Sequence, residues 1–329
     1  MTAGADMAAG KRRPGPADAG RGSPTALGIL ELDRFSRASL TRWRELSHDL
    51  DQLQATLYFA VRPEQRRLRG ELIAALQAQA PVEQTLLRWV RNVTYRYSME
   101  PLSAAGSLLG YGGRFNPGAD LDHDTLSPFP ALYVAEDAET AFREKFQLPS
   151  SGTVDGLKPE ELALARSGSF STVMVNGHLR NVFDLTSFEP LEAVARVFAR
   201  IKMPEAARSL RAKLRIPPRA LSMIRSGSQL YNAVVQQNWR GLPVQFGLPA
   251  PSQTLAELIR EAAFDGILYR STKAAGLCLA IFPDRISSDS FVELADAAPS
   301  GVKLTRLDQS SGDELAGWER LRSTVRSRP

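Results

Sequence analysis

The chain of 329 residues is long enough to bury one sizeable core with a smaller unit beside it, and no apolar run approaches the length of a membrane span. Its hydrophobic content of 43% and charged content of 23% are typical of a globular protein, while the net charge of +5 favours anionic ligands without indicating a nucleic-acid surface. A single cysteine, Cys278, excludes an intrachain disulfide. With only three histidines in the sequence, a histidine-based catalytic triad or a zinc centre is not expected.

The N-terminal part of the sequence predicts a tail followed by helices. Residues 1–25 are rich in Gly, Ala and Pro and lack the hydrophobic region of a secretory signal, so we expect a disordered tail and a cytoplasmic protein. Residues 26–92 are expected to form a helical N-terminal extension. It contains helices over residues 40–59 and 64–79 and a third short helical piece over residues 81–90.

The first of these helices carries an apolar stripe. Its members recur at alternating spacings of three and four residues: Trp43, Leu46, Leu50, Leu53 and Leu57. An exposed strip of this length favours association, so it has to be covered. We expect a compact helical subdomain with its own core, and packing on the following domain or on another chain are the alternatives. A variant that lacks residues 1–90 is then expected to keep its activity.

The pattern becomes mixed after the extension, and a domain is predicted over residues 93–286, followed by a C-terminal extension over residues 287–329. Predicted strands cover residues 94–97, 131–135, 171–175, 181–185, 266–269 and 277–282, and predicted helices cover residues 138–146, 190–201, 229–238 and 254–263. The C-terminal extension adds a strand over residues 302–307 and a polar helix over residues 313–325.

One stretch of this domain concentrates residues that are suited to chemistry. Gly112 and Gly113 allow a tight turn that can approach a ligand closely, and Arg114 supplies a guanidinium that can bind a phosphate through two parallel hydrogen bonds. A short predicted strand and the helix that carries Glu144 follow. An arginine that binds anions beside a lone carboxylate is suited to chemistry at a sugar carbon of a phosphate-bearing substrate.

These segments together resemble the RES domain, a family named for its arginine, glutamate and serine. The matching pieces, in the family's order, are Tyr95-Arg96, Gly112 to Asn116, Leu132 to Ala135, Ala141 to Glu144, Asp184-Leu185-Thr186, Gly266 to Ser271 and Leu277 to Phe282. The resemblance covers about residues 93–286 and leaves both extensions outside it.

The resemblance implies a fold and an activity. The fold is α/β (α+β), with a split, mixed sheet like that of ADP-ribosyltransferases, preceded by the helical extension. The activity is that of an enzyme that consumes NAD by cleaving the nicotinamide–ribose bond, as an NAD phosphorylase or glycohydrolase, and that serves as the toxin of a toxin–antitoxin pair. ADP-ribosyl transfer to a protein target and a non-catalytic module that binds a partner are the alternatives.

The resemblance also assigns roles to individual residues. Catalysis is assigned to Glu144, Arg96 and Tyr133, and NAD binding to Arg96, Gly113, Arg114, Asn116, Tyr133 and Ser271. Without the resemblance these residues have ordinary explanations, namely strand and turn arginines, a buried tyrosine, a solvated helix glutamate and a turn serine. Many members carry asparagine where this chain has Cys278, which we expect to be a small core residue.

The expected partners follow from the same resemblance. NAD is the substrate, and no metal is expected. A cognate antitoxin is the expected protein partner, and association with a second copy of the chain is left open. No membrane contact is expected, and contact with nucleic acid is expected only through a partner.

Overall fold

The computed structural model describes residues 37–121, 126–148, 169–218 and 220–317, so the predicted tail lies outside the described residues. The α-helices in this part of the chain are α1 Arg37–Arg67, α2 Arg69–Gln77, α3 Ala138–Phe146, α4 Glu192–Phe198, α5 Glu205–Lys213, α6 Gly227–Tyr231, α7 Gly241–Phe246, α8 Pro251–Glu261 and α9 Gly312–Ala316. The strands are β1 Val82–Thr94, β2 Gly112–Gly113, β3 Asn116–Pro117, β4 Leu132–Ala135, β5 Phe170–Leu185, β6 Gly266–Arg270, β7 Leu277–Ile281, β8 Phe291–Leu294 and β9 Arg306–Leu307.

Seven of the strands form one mixed sheet, in the order β1-β4-β7-β6-β5-β8-β9. The β5–β6 pair is parallel and the other pairs are antiparallel. β1 pairs with β4 only at Val90 and Ala135, yet it pairs with β5 along nearly its whole length. Because β1 pairs with both β4 and β5, the strands β1, β4, β7, β6 and β5 form a closed ring. The ring is open beyond the single pair between β1 and β4. The predicted α/β fold with a split, mixed sheet is confirmed.

The predicted helical piece over residues 81–90 is wrong, because these residues lie in β1. Pairing with β5 runs from Val82 opposite Val182 to Thr94 opposite Phe170 and has two register shifts, the second of them between Leu86 and Trp89. Arg88 lies in this second irregularity with a φ of +53°, and the neighbouring Leu87 is 78% exposed. Local periodicity cannot reveal a partner strand about 90 positions away, so the pairing outweighs the helical pattern.

Other predicted bounds also change in the structure. The strand predicted over residues 94–97 is wrong, because β1 ends at Thr94 and a 3₁₀ turn, Tyr95–Tyr97, follows. The two strands predicted over residues 171–185 are one continuous strand, β5, which pairs with β8 in its middle. The helix predicted over residues 229–238 is divided into α6 and a π-helical stretch, Asn232–Gln236. Helix α5 was not predicted. Helix α9 corresponds to the start of the polar helix predicted over residues 313–325, and the rest of that prediction lies outside the described residues.

The hydrophobic core lies on both faces of the sheet, and the N-terminal helices contribute to it. Leu68, Leu72 and Leu76 of the N-terminal helices are fully buried in the same cluster as Phe183 of β5 and Leu255 of α8. The expected separate core of the helical extension is therefore wrong. The second cluster, on the other face, contains residues of β1, β4, β5, β7 and α9.

Ion pairs also connect the N-terminal helices to α8. Arg62 of α1 lies 3.3 Å from Glu257, and Arg69 of α2 pairs with both Glu257 and Glu261. Of the apolar stripe on α1, Leu53 is buried and Leu50 and Leu57 are partly buried, while the side chains of Trp43 and Leu46 lie outside the described residues. None of the described helices combines the length and the apolar character needed to cross a membrane.

Candidate functional site

The glycine turn is a miniature hairpin made by β2 and β3. Gly112 pairs with Pro117 and Gly113 pairs with Asn116, so Arg114 and Phe115 form its tip. Gly112 has a φ of +82°, and a Cβ atom there would lie 2.3 Å from the Asn116 carbonyl oxygen. Only glycine is compatible with this conformation and this close backbone approach. The prediction of a tight glycine turn is confirmed.

Asn116 holds the turn together from the inside. Its side chain is fully buried, and its Oδ1 accepts hydrogen bonds from the Gly113 N–H at 3.0 Å and from the Tyr133 hydroxyl at 2.9 Å. Its Nδ2 donates to the carbonyls of Ser107 at 2.7 Å and Phe129 at 3.1 Å. Both ends of the amide are thus used by the protein, which favours a role in shaping the turn over the predicted direct contact with NAD.

Tyr133 lies against the same turn from strand β4. Its hydroxyl accepts a hydrogen bond from the Phe115 N–H at 3.0 Å in addition to the bond that it donates to Asn116. A Cβ atom on Gly113 would lie 2.5 Å from this hydroxyl, so Gly113 is needed for close packing rather than for backbone freedom. Burial raises the pKa of Tyr133, and the hydroxyl stays protonated as a donor.

Gln253, which sequence reasoning missed, fixes the turn from helix α8. The residue is fully buried, and its Nε2 lies within 3.1 Å of three backbone carbonyl oxygens, those of Tyr111, Gly113 and Asn116. Its Oε1 accepts the Ala250 N–H at 2.9 Å, at the start of the helix. One amide side chain therefore connects α8 to both strands of the miniature hairpin. No local signal marks this residue, because its partners lie about 140 positions earlier in the chain.

Arg114 extends from the turn into the protein. Its side chain is only 6% exposed, with Nη1 donating to the Val235 carbonyl at 2.7 Å and Nη2 donating to the Thr272 hydroxyl at 3.1 Å. The guanidinium thus connects the π-helical stretch to the loop after β6. Thr272 is a further residue that sequence reasoning missed.

Glu144 is placed by helix α3. The helix begins after Asp137, whose carboxylate accepts the Thr140 N–H at 2.8 Å as an N-cap, and Glu144 lies in its last turns. The Ser271 hydroxyl donates to Glu144 Oε1 at 2.6 Å. Oε2 accepts no hydrogen bond from the described residues, so one carboxylate oxygen is held and the other is available.

The loop from Ser271 to Gly276 brings the carboxylate and the guanidinium together. Ser271 contacts Glu144 and the adjacent Thr272 contacts Arg114, so two consecutive residues link the two charged groups. The Ser271 hydroxyl also accepts the N–H groups of Lys273 at 3.0 Å and Ala274 at 3.1 Å, which fixes its orientation.

Arg114 and Glu144 act electrostatically on the same neighbouring groups. Burial raises the pKa of Tyr133, the hydrogen bond from Phe115 and the charge of Arg114 lower it, and Glu144 raises it. Burial likewise raises the pKa values of Tyr269 and Cys278, with Glu144 raising and Arg114 lowering both. Tyr269 and Cys278 are therefore neutral groups beneath the site, and Cys278 is a small buried residue of β7.

Arg91 supports the site at the point where the sheet splits. Its Nη1 donates to the Tyr133 carbonyl at 3.3 Å and its Nη2 donates to the Ser103 carbonyl at 2.7 Å, beyond the single β1–β4 pair. Burial lowers the pKa of Arg91 to about 10, which leaves it charged near neutral pH. Sequence reasoning missed Arg91, because it did not predict β1, the strand in which this residue lies.

The structure thus brings together four of the residues proposed from the sequence, namely Arg114, Tyr133, Glu144 and Ser271, on a framework that includes Gly113 and Asn116. The main chain of Arg96 lies in the 3₁₀ turn after β1, and its side chain is outside the described residues. Within the described parts of the chain, no group of three or more His, Cys, Asp or Glu side chains is arranged to hold a metal ion.

Comparison with known proteins identifies one family. The model of the RES domain family matches residues 85–175 and 186–298, which include all of the candidate residues. In the crystal structure of the M. tuberculosis MbcT-MbcA toxin-antitoxin complex, one chain is similar to this one with 15% identity and a TM-score of 0.38, over 75% of this chain and 97% of that chain. No curated protein sequence matches the chain.

Proposed function

The chain belongs to the RES domain family, and on that basis we propose that it is an enzyme that consumes NAD by cleaving the bond between nicotinamide and ribose. The observation that supports this proposal best is the pairing of charges around one loop. Ser271 holds the carboxylate of Glu144 while its neighbour Thr272 holds the guanidinium of Arg114. A carboxylate and a cation that are held by consecutive residues of one loop suit a substrate that has a reactive sugar carbon and a pyrophosphate.

Glu144 is proposed as the catalytic carboxylate. The bond between ribose C1′ and the nicotinamide nitrogen breaks with its electron pair leaving on the nitrogen, so nicotinamide departs as a neutral molecule and needs no strong acid. Positive charge then develops on the ribose. A carboxylate near the ring or its 2′-hydroxyl stabilises that charge, as in glycosidases. Because Ser271 occupies Oε1, Oε2 is the oxygen that we expect to face the ribose.

Arg114 and Arg96 are proposed to neutralise the pyrophosphate of NAD. Both Nη groups of Arg114 already contact protein, so a phosphate would meet a guanidinium that is held in a fixed orientation. Tyr133 is proposed to pack its ring against the nicotinamide half, because its hydroxyl is already occupied by Phe115 and Asn116. Gly113 and Asn116 are proposed to act by keeping the turn in shape.

The acceptor that attacks C1′ decides the type of reaction. Phosphate gives phosphorolysis, water gives hydrolysis, and a protein side chain gives ADP-ribosylation; in each case the acceptor forms the new bond to C1′ and loses a proton. Purified protein incubated with NAD, with and without phosphate, tests all three. Nicotinamide release that requires phosphate indicates a phosphorylase, release without it a glycohydrolase, and label from NAD on a macromolecule a transferase. Absence of nicotinamide release under all conditions overturns the proposed function.

We also propose that the enzyme acts as a toxin whose partner is a cognate antitoxin. The membership in the RES domain family supports this role. Expression of the chain alone should lower cellular NAD and slow growth, and Glu144→Gln should relieve both effects. Unchanged NAD and growth at good expression of a folded protein would contradict the toxin role while leaving the measured enzymatic activity intact.

A further inference from the structure

The segment after α6 is attached directly to the candidate site. It begins with the π-helical stretch Asn232–Gln236, in which the Gln237 N–H donates to the Asn232 carbonyl at 3.0 Å. The Val235 carbonyl of this stretch accepts the hydrogen bond from Arg114 Nη1 at 2.7 Å. Single π-helical turns are rare and occur frequently at functional sites. Trp239 and Arg240 follow this stretch closely in the chain, so they extend from a segment that contacts Arg114 directly.

Arg240 is held in place by an aromatic ring rather than by an acid. Its guanidinium carbon lies 5.4 Å from the centroid of Trp239, whose side chain is only 9% exposed. The Arg240 N–H donates to Asn238 Oδ1 at 3.1 Å, which fixes the backbone at the start of the next helix. Stacking of this kind orients a guanidinium while leaving its in-plane N–H groups free.

The guanidinium of Arg240 has no carboxylate or carbonyl acceptor among the described residues. The residue is exposed, so its N–H groups face solvent. Several other arginines of the protein are paired with acidic residues. Arg260 pairs with Asp284, and Arg62 and Arg69 pair with the acidic residues of α8. An arginine that is stacked in position but has no acidic partner is suited to bind an anion from solution.

The surroundings of Arg240 also favour an anion. Partial burial is the main cause that lowers the pKa of Arg240, repulsion by Arg114 adds to it, and Glu144 acts in the opposite direction. The group thus interacts with both charged residues of the candidate site. Two guanidinium groups that repel one another are stabilised together when a dianion lies between them.

We propose that Arg240, stacked on Trp239, forms a second cationic subsite that binds the pyrophosphate of the dinucleotide together with Arg114. Arg114 has both Nη groups occupied by protein, so by itself it offers few free donors to a doubly charged group. Arg240 supplies a second planar guanidinium that is exposed and stacked on Trp239. The identity of the ligand as a dinucleotide rests on the proposed function, whereas the preference for a diphosphate rests on the two arginines.

The test compares Arg240→Gln and Arg240→Lys with Arg208→Gln. Arg208 is an exposed arginine of α5 that pairs with Glu205, so its substitution changes the net charge equally without touching the subsite. The loss of one charge-assisted contact should raise the KM for NAD by roughly 5- to 20-fold in Arg240→Gln, with a smaller rise in Arg240→Lys and little change in kcat. The affinity for ADP, which has the diphosphate but no nicotinamide bond, should fall by a similar factor in calorimetry. Arg208→Gln should change neither quantity.

The two measurements separate the subsite from the proposed function. If the wild type turns over NAD but Arg240→Gln has the wild-type KM and the wild-type ADP affinity, the subsite is wrong and the enzyme activity stands. If the wild type does not turn over NAD but binds ADP in a manner that depends on Arg240, the subsite stands and the proposed reaction is wrong. Equal weakening in Arg208→Gln would show a general charge effect and would also overturn the subsite. Thermal unfolding of each variant confirms that the exposed substitutions leave the fold intact.

Discussion

The hydroxyl of Ser271 lies 2.6 Å from Oε1 of Glu144, and it donates to that carboxylate while it accepts two backbone N–H groups of its own loop. A hydroxyl with both acceptor positions used can direct its single proton only towards Glu144. The position of the carboxylate therefore depends on the loop after β6 as well as on α3. The guanidinium of Arg114 is held by the next residue of the same loop, Thr272, whose hydroxyl lies 3.1 Å from Nη2.

Glu144→Gln should lower NAD turnover by about 10²–10³-fold while the fold is preserved. The substitution keeps the size of the side chain and an oxygen that can accept from Ser271, but it removes the charge that stabilises the ribose cation. Glu139→Gln is the matched control, because Glu139 lies on the same helix in an exposed ion pair with Arg143. Steady-state kinetics of both variants give the comparison. Turnover near that of the wild type in a folded Glu144→Gln protein would remove Glu144 from the catalytic role.

Ser271→Ala should lower turnover by a smaller amount, on the order of tenfold, because the carboxylate keeps its charge but loses a charge-assisted hydrogen bond that orients it. Ser271→Thr retains the hydroxyl and should recover part of the activity. The kcat should change more than the KM if the serine positions Glu144 for the reaction. A change confined to KM would instead indicate that Ser271 contacts the ligand directly.

Gln253→Met should destabilise the protein by about 2–4 kcal/mol, because three buried or partly buried carbonyls and the Ala250 N–H lose their partner. The adjacent Ser252 provides a control in the same turn of α8. It is also fully buried, and its Oγ has no hydrogen-bond partner among the described residues, so Ser252→Ala should be neutral or slightly stabilising. Urea unfolding measures both. Equal stabilities of the two variants would show that the hydrogen bonds of Gln253 contribute little.

Gly113→Ala should destabilise the protein by about 1–3 kcal/mol, because the added methyl group would meet the hydroxyl and ring of Tyr133 and the Oδ1 of Asn116. Tyr133→Phe removes the hydroxyl, which is the nearest of these atoms at 2.5 Å, and should lower part of the cost of the alanine. The double variant should therefore be more stable than the sum of the two single changes predicts, with a coupling of about 0.5 kcal/mol or more. Strict additivity in urea unfolding would mean that the turn moves away from Tyr133 when the alanine is introduced.

Deletion of residues 1–90 should prevent folding, which reverses the expectation from the sequence. The deletion removes Leu68, Leu72 and Leu76 from the shared core and most of the strand that pairs with β5. Deletion of residues 1–25 should preserve the thermal unfolding transition and any NAD turnover. Circular dichroism and thermal unfolding of the two truncated proteins distinguish these outcomes, and a folded protein lacking residues 1–90 would contradict the shared core.

The sequence by itself determined those parts of the protein that depend on neighbours in the chain. The glycine turn follows from Gly112 and its positive φ, and α3 follows from the Asp137 cap and a helical pattern. The short apolar strands β4, β6 and β7 follow from the residue types that favour strands. The order of the motifs was sufficient to identify the family, and the roles proposed for Arg114, Tyr133, Glu144 and Ser271 remain predictions.

The tertiary structure alone decided what depends on partners far along the chain. β1 is a strand because β5 pairs with it, the N-terminal helices share the core because α8 and the sheet lie beneath them, and Gln253 reaches a turn 140 positions earlier. The π-helical stretch that precedes Trp239 and Arg240 contacts Arg114 through the Val235 carbonyl, and the two residues of that contact are 121 positions apart. Local sequence patterns reflect the backbone preferences of residues that are close in the chain. Strand pairing and buried hydrogen bonds instead depend on groups that are distant in the chain and come together where water is excluded.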